Sequence, residues 1–439
     1  MKLSNTLLLA AASHALVLPF LDQFDFELPS LFHDDSNERS FLRVDGTMAP
    51  LNKVDVNKIV PHRYIVVLNE EETFSVQATA ESIMSSLDHM DMSVFNVGQL
   101  LRGFTVLMSP ELLERLRQDS RVKYVEPDTI VSIDSSDIQP EAPWGLSRIS
   151  HRKVQTDALY LYDDQGGLGV DAYVVDTAIK VDHEEFEGRA EWVKAVAFPN
   201  IKMDTNGHGT HCAGIIGSKN YGVAKKANLF AVGVMTPLGT GTTSDIIKGM
   251  EEVAKRHAER KLARGFKGST VNMSLGGGVS EAFDQAADAL VSLGIHVAVA
   301  AGNDNADACQ YSPARAGKVI TVGATNSQDE RASFSNWGSC VDVFAPGQDI
   351  ELTYIWNPTT VMSGTLMASP HVAGLLSYYL SLAPEQSLEY KVDLDPATMK
   401  ARVLKYATKG ALTQLDSASP NLLIYNGGGK NLTDFYLLL

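Results

Sequence analysis

Past Trp144 the chain carries near-continuous apolar runs of strand length: Val170-Asp171-Ala172-Tyr173-Val174-Val175, Thr270-Val271-Asn272-Met273-Ser274-Leu275 and Ile295-His296-Val297-Ala298-Val299-Ala300. A strand that is apolar on consecutive residues must be covered on both faces. Helical stretches fall between the runs, among them Ser244 to His257 and Glu281 to Ser292. Strands alternating with helices over about 300 residues predict an α/β unit with a parallel sheet covered by helices. Ligands of such sheets bind beyond the carboxyl ends of the strands. Asp176 and Asn303 both fall there.

A second, smaller unit precedes this one, since 439 residues exceed what a single core usually serves. Tyr64 to Leu68, Phe104 to Met108 and Val122 to Val125 have strand character, while Ile83, Met84, Leu87 and Met90 recur at helical spacing. Pro110 to Leu116 predicts a short helix with proline at its start. The alternation predicts a small α+β (ferredoxin-like) domain over residues 59–134. Residues 16–58 are polar and acidic and predict a loose spacer. Ser132 to Glu141 is polar and irregular, an exposed junction before the large unit at 140–439.

The first residues have a different texture. Met1-Lys2 precedes an apolar run from Leu7 to Ala12 and then Ser13-His14-Ala15, which predicts a signal peptide over 1–15 and a place in the secretory pathway. No other run is long and uncharged enough to cross a bilayer. The net charge of −16 argues against a nucleic-acid partner. Three cysteines allow at most one internal disulfide. Cys309 and Cys340 flank strand-like segments in a compartment that permits oxidation, and Cys212 is expected as a buried free thiol.

Three segments carry the candidate chemistry. Asp176 follows a buried strand in Val174-Val175-Asp176-Thr177-Ala178. His208 lies in Asn206-Gly207-His208-Gly209-Thr210-His211. Leu366 lies in Ser363-Gly364-Thr365-Leu366-Met367-Ala368-Ser369-Pro370-His371-Val372-Ala373-Gly374, where a helix is expected to begin. The last segment resembles, almost letter for letter, the one that bears the nucleophilic serine of subtilisin-like proteases, and leucine stands at the serine position. Acyl transfer of this kind needs a carboxylate to orient an imidazole, the imidazole to take a proton, and a hydroxyl to attack. The order Asp…His…Ser is the one found in that family.

The resemblance to the subtilases, in their proteinase K branch and nearest in pattern to fungal vacuolar members, extends from about Pro61 to Asn431. It implies a subtilisin-like fold preceded by an inhibitory propeptide unit that blocks the cleft. Asp176 would be the orienting carboxylate, His208 the general base and Asn303 the amide donor to an oxyanion. Ser274, Leu275, Gly276 and Gly277, with Ala300, Ala301 and Gly302, would wall the pocket for the residue before the scissile bond. Gly239, Thr240 and Gly241 would offer strand-like backbone to an extended peptide. Cys309 and Cys340 match a disulfide of some relatives.

The pattern departs from the family at three positions. Leu366 cannot attack a carbonyl or form an acyl-enzyme. Ala178 replaces a glycine, which strains the backbone if that site needs positive φ. Asn326 replaces a calcium-ligating aspartate, so neither a metal nor another cofactor is expected. Thr365 and Ser363 are not expected to reach His208 in place of the missing hydroxyl. The reading is a catalytically silent member that keeps its peptide groove, with its own propeptide unit, extended peptides or an active relative as partners, in a vacuole, the wall or the medium. The alternative is an active serine endopeptidase in which Leu366 is a variant or an error. Asn431-Leu432-Thr433 is a glycosylation sequon, Asn272-Met273-Ser274 is expected to stay unmodified on a buried strand, and the apolar tail Phe435 to Leu439 is expected to dock on the domain.

Overall fold

The structure is a computed structural model that describes residues 43, 46–54, 59–69, 75–87, 92–97, 101–129, 137–199, 201–357, 359–384 and 392–438. The expected signal peptide, most of the spacer, Met90 of the helical stripe and the 132–136 part of the junction lie outside those residues.

The first unit is an antiparallel sheet of β1 (Ile59–Leu68), β2 (Met92–Val97), β3 (Leu101–Leu107) and β4 (Val122–Thr129), in the order β2-β3-β1-β4. Two helices complete it, α1 (Val76–Ser85) and α2 (Pro110–Leu116). Each helix starts on a serine whose hydroxyl accepts a free first-turn N–H: Ser75 from Ala78 and Ser109 from Leu112. Ile83, Met84 and Leu87, the helical stripe of the sequence, are buried against Val66, Phe104 and Val106. Strand β2 was not foreseen. It is an edge strand whose residues are half-buried or exposed, so it lacks the apolar run that marks the others.

The large unit is built on a sheet of nine strands. In chain order these are β5 (Val170–Asp176), β6 (Ala190–Ala195), β7 (Asn228–Gly233), β8 (Gly268–Met273), β9 (His296–Ala300), β10 (Ile320–Thr325), β11 (Val343–Pro346), β14 (Thr408–Lys409) and β15 (Leu422–Leu423). Strands β12 (Ile350–Thr353) and β13 (Thr359–Met362) form a separate hairpin. The spatial order is β14-β15-β11-β10-β9-β8-β5-β7-β6, parallel except where β14 meets β15.

Residue alternation along β5 explains why it reads as one apolar run. Ala172 and Val174 face a core shared with α3 (His208–Gly217) and α6 (Thr365–Ser381). Tyr173 and Val175 face a second core shared with α4 (Thr243–Arg260) and α5 (Glu281–Ser292). Asp171 is the polar residue of the run, and Arg260 and Asn228 neutralise it through hydrogen bonds of 2.6–3.1 Å. Helix α6 is buried almost throughout. The tail docks against it, with the ring of Phe435 stacked 3.8 Å from that of Tyr379.

This packing buries several imidazoles. Burial pushes His211 down to about 3, and His296 and His371 down to about 4. In the unfolded chain each takes a proton near pH 6.5, while in the folded protein it resists until the pH is much lower. Their contribution to stability is therefore complete above about pH 6.5 and declines as the pH falls toward 4. His208 is shifted the opposite way, and its contribution is constant below about pH 6.5. Between pH 6.5 and pH 5 each depressed histidine should cost on the order of 2 kcal/mol. A urea midpoint that falls over that interval, and falls less in a His371→Gln variant, is the expected result; an unchanged midpoint would contradict it.

Candidate active site

The sheet brings the three segments together at its carboxyl edge. Asp176 is the last residue of β5, His208 the first of α3 and Leu366 the second of α6. Glycine permits the approach of α3: Gly207 has a φ of 99°, and a Cβ there would meet the Tyr354 ring at 2.3 Å.

Asp176 Oδ1 lies 2.8 Å from His208 Nδ1 and also accepts from Thr177 N at 2.6 Å. The carboxylate is 1% exposed, so the negative charge is held in a site of low dielectric. Burial pulls the His208 pKa down, but the charge of Asp176 and the contacts with Asp176 and Cys212 together outweigh it and hold the imidazole well above its ordinary range. The other imidazole nitrogen, Nε2, has no hydrogen-bond partner. Asp176 thus orients the His208 ring, and a leucine stands at position 366.

At Leu366 the isobutyl group lines the cleft, while the backbone carbonyl accepts from Ser274 Oγ at 2.6 Å and from Cys212 Sγ at 3.6 Å. The neighbouring hydroxyls are engaged elsewhere. Thr365 Oγ1 donates to Asn303 Oδ1 and accepts from Gly302 N, and Ser363 Oγ accepts from Asp349 N. Neither bonds to His208, as the sequence reading expected.

Asn303 is held by that threonine. Its Oδ1 accepts from both Thr365 N and Thr365 Oγ1 at 2.8 Å, which fixes the carboxamide with its NH2 end free for the cleft. Gly364 makes room for it, since a Cβ at that glycine would sit 3.1 Å from Asn303 Nδ2. Asn303, Leu366 and His208 line the same cleft.

The cleft has a volume of about 450 Å³. Its lining includes Asp176, His208, Asn303 and Leu366 with Gly239, Ser274, Leu275, Gly276, Gly277, Ala300, Ala301 and Gly302. Gly277 and Gly278 pair with Ser312 and Tyr311 in a short antiparallel ladder that stiffens one wall. Thr240 and Gly241 do not line this cleft. Thr240 closes a turn by accepting from Thr236 N at 2.7 Å. Met235, Asp304 and Tyr311, which do line it, were not singled out from the sequence.

Asp204 was missed as well. Its buried carboxylate accepts from Thr177 Oγ1, from the N–H groups of Asn206, Gly207 and Thr210, and from Thr210 Oγ1. It ties the residue after Asp176 to the helix start that bears His208. An aspartate a few residues ahead of a helix is a common cap, and that was the only available signal.

Cys309 and Cys340 are disulfide-bonded, and Cys212 is a buried free thiol. Burial raises the Cys212 pKa, so the group stays protonated and is a poor nucleophile. Among the described residues, Asp176, His208 and Cys212 form the one cluster with metal-ligand spacing, their donor atoms lying within 4.8 Å of one another. Its carboxylate and imidazole are already bonded to each other. Asn326 uses its whole amide within one turn, donating to Glu330 and accepting from Gln328 N and Glu330 N. Asn431 Oδ1 accepts from Thr433 N and Oγ1, whereas Asn272 is fully buried.

Residues 167–421 match the subtilase family, peptidase S8, and residues 63–134 match peptidase inhibitor I9. Cerevisin of Saccharomyces cerevisiae is 45% identical over 426 residues, covering 88% of this chain and 67% of its own. Subtilisin-like protease 3 of the same yeast is 46% identical, with 86% and 87% covered. Subtilisin-like serine protease Pen ch 18 of Penicillium rubens is 50% identical, with 88% and 85% covered. A cold-adapted subtilisin-like serine proteinase of known crystal structure superimposes with a TM-score of 0.59 at 40% identity, covering 65% of this chain and 98% of that one. The chain belongs to the subtilase family and carries an I9 propeptide unit ahead of its subtilisin-like fold.

One departure from the family pattern acquires a physical meaning here. Ala178 is buried with a φ of 146°, a conformation open to glycine and strained for any side chain. Relief of that strain should exceed the extra chain entropy of glycine, so Ala178→Gly should stabilise the protein by about 1 kcal/mol. Thermal unfolding of the two proteins checks this, and a lower midpoint for the glycine variant would refute the strain.

Proposed function

We propose that this chain is a pseudoprotease: a subtilase that keeps the peptide groove of a serine endopeptidase and has lost the nucleophile. The observation that carries the reading is Leu366 at the start of α6, where acyl transfer needs a hydroxyl beside His208. In subtilisin, loss of the nucleophile lowers kcat by about 10⁶-fold. Asp176 then orients His208, Asn303 offers its amide to the bound carbonyl, and the Ser274–Gly277 and Ala300–Gly302 walls receive a side chain, with no covalent step. We assign residues 1–15 to a signal peptide, 16–58 to a spacer, 59–134 to the inhibitory propeptide and 140–439 to the peptidase-like domain. A secretory route ending in the vacuole, wall or medium fits the leader. No helix among the described residues is long and apolar enough to cross a membrane.

The intact Asp176–His208 pair and the fixed Asn303 amide favour a second reading, in which a serine at 366 makes an active endopeptidase. Both readings are separated by expressing the chain as written and Leu366→Ser in a protease-deficient host and reading intact masses. The chain as written should remain uncut at the full post-signal size, while Leu366→Ser should shed its propeptide. Spontaneous two-chain product from the leucine form would refute catalytic silence.

A further inference from the structure

We infer that the strand Asp137–Gln139, which follows the I9 unit, is a pH-sensitive latch closed over the side chain of Lys225. The latch is remote from residue 366 in the sequence and works in the same way whatever residue stands there.

The strand pairs antiparallel with Tyr160–Tyr162, Gln139 opposite Tyr160 and Asp137 opposite Tyr162. Residues two apart on a strand share a face, and so do directly opposed partners. Asp137, Gln139, Tyr160 and Tyr162 therefore lie on one side of the ladder. Lys225 meets that side, its Nζ 5.4 Å from the centre of the Tyr160 ring and 5.3 Å from that of Tyr162. Gln139 Nε2 donates to Asn220 O at 2.7 Å and so ties the strand to the loop that carries Lys225. Lys225 is left 8% exposed, and among the described residues its Nζ has no hydrogen-bond partner.

An ammonium at this place would hold three donors and a charge with no acceptor to receive them. The ring faces of Tyr160 and Tyr162 attract a cation. Glu185 does so too, but its carboxylate already accepts from Asn220 N and Nδ2. Arg189 repels it, Asp137 acts on Tyr162 from the latch strand, and the neighbouring Lys226 is exposed. Burial outweighs the attractions and brings the Lys225 amine down to about 7.

An opened strand lets water reach the amine, which returns toward its ordinary value of 10.5. The open form thus takes up a proton between those two values and the closed form does not. Opening becomes easier by roughly tenfold per pH unit as the pH falls from about 10 to about 7, and gains nothing further below about pH 6. A strand of three residues can open locally, without global unfolding.

The test is limited digestion of the full post-signal chain with thermolysin, which cuts before Ile138. The product that begins at Ile138 is followed by mass, and its rate is divided by that of a free peptide of residues 135–142 at the same pH. Cleavage of this kind tracks the open population. The ratio should fall at least about fivefold between pH 8 and pH 9. Lys225→Met, which cannot titrate, should give the same ratio at both, and Lys225→Leu serves if the methionine variant fails to fold. An unchanged ratio in the chain as written, or an equal fall in Lys225→Met, would overturn the latch.

Discussion

Hydrogen bonds from Thr177, Asn206, Gly207 and Thr210 all converge on the carboxylate of Asp204, and the rest of the site depends on that convergence. The carboxylate is buried, and a buried anion is tolerable only when its lone pairs are filled. By filling them with groups from both sides, the protein fixes the end of β5 against the beginning of α3. The Asp176–His208 distance is a consequence of that clamp. None of these bonds involves residue 366.

The second fixed point is the Asn303–Thr365 lock, which belongs to α6. Because the residue before Leu366 holds the amide, the orientation of the donor does not depend on what residue 366 is. The two halves of the site are thus mechanically independent of the nucleophile. What the leucine places there is a hydrocarbon side chain in the lining of the cleft.

Much of this was legible in the sequence because it is written in local patterns. The apolar runs of β5, β8 and β9 announced a sheet buried on both faces, and its carboxyl edge fell where Asp176 and Asn303 lie. The motif around Leu366 was specific enough to name the family before any coordinates. Features that depend on distant residues were not legible. Strand β2 is held by its neighbour rather than by its own composition. The φ of Ala178 is set by the packing of α3, where a Cβ on Gly209 would strike the Ala178 carbonyl at 2.0 Å. Asp204 looked like a helix cap because its bond to Thr177 crosses between elements. Thr240 and Gly241 fell outside the cleft because turn closure, not the glycine pattern, sets where that loop runs.

The docked tail bears on the timing of folding. Strand β15 extends the central sheet beside β11, and Phe435 stacks on Tyr379, so residues near 435 complete a core that begins at Ala142, about 290 residues earlier. The large unit cannot complete this core before its last segment is available. A large unit without Phe435 would leave the ring of Tyr379 on α6 without its stacking partner.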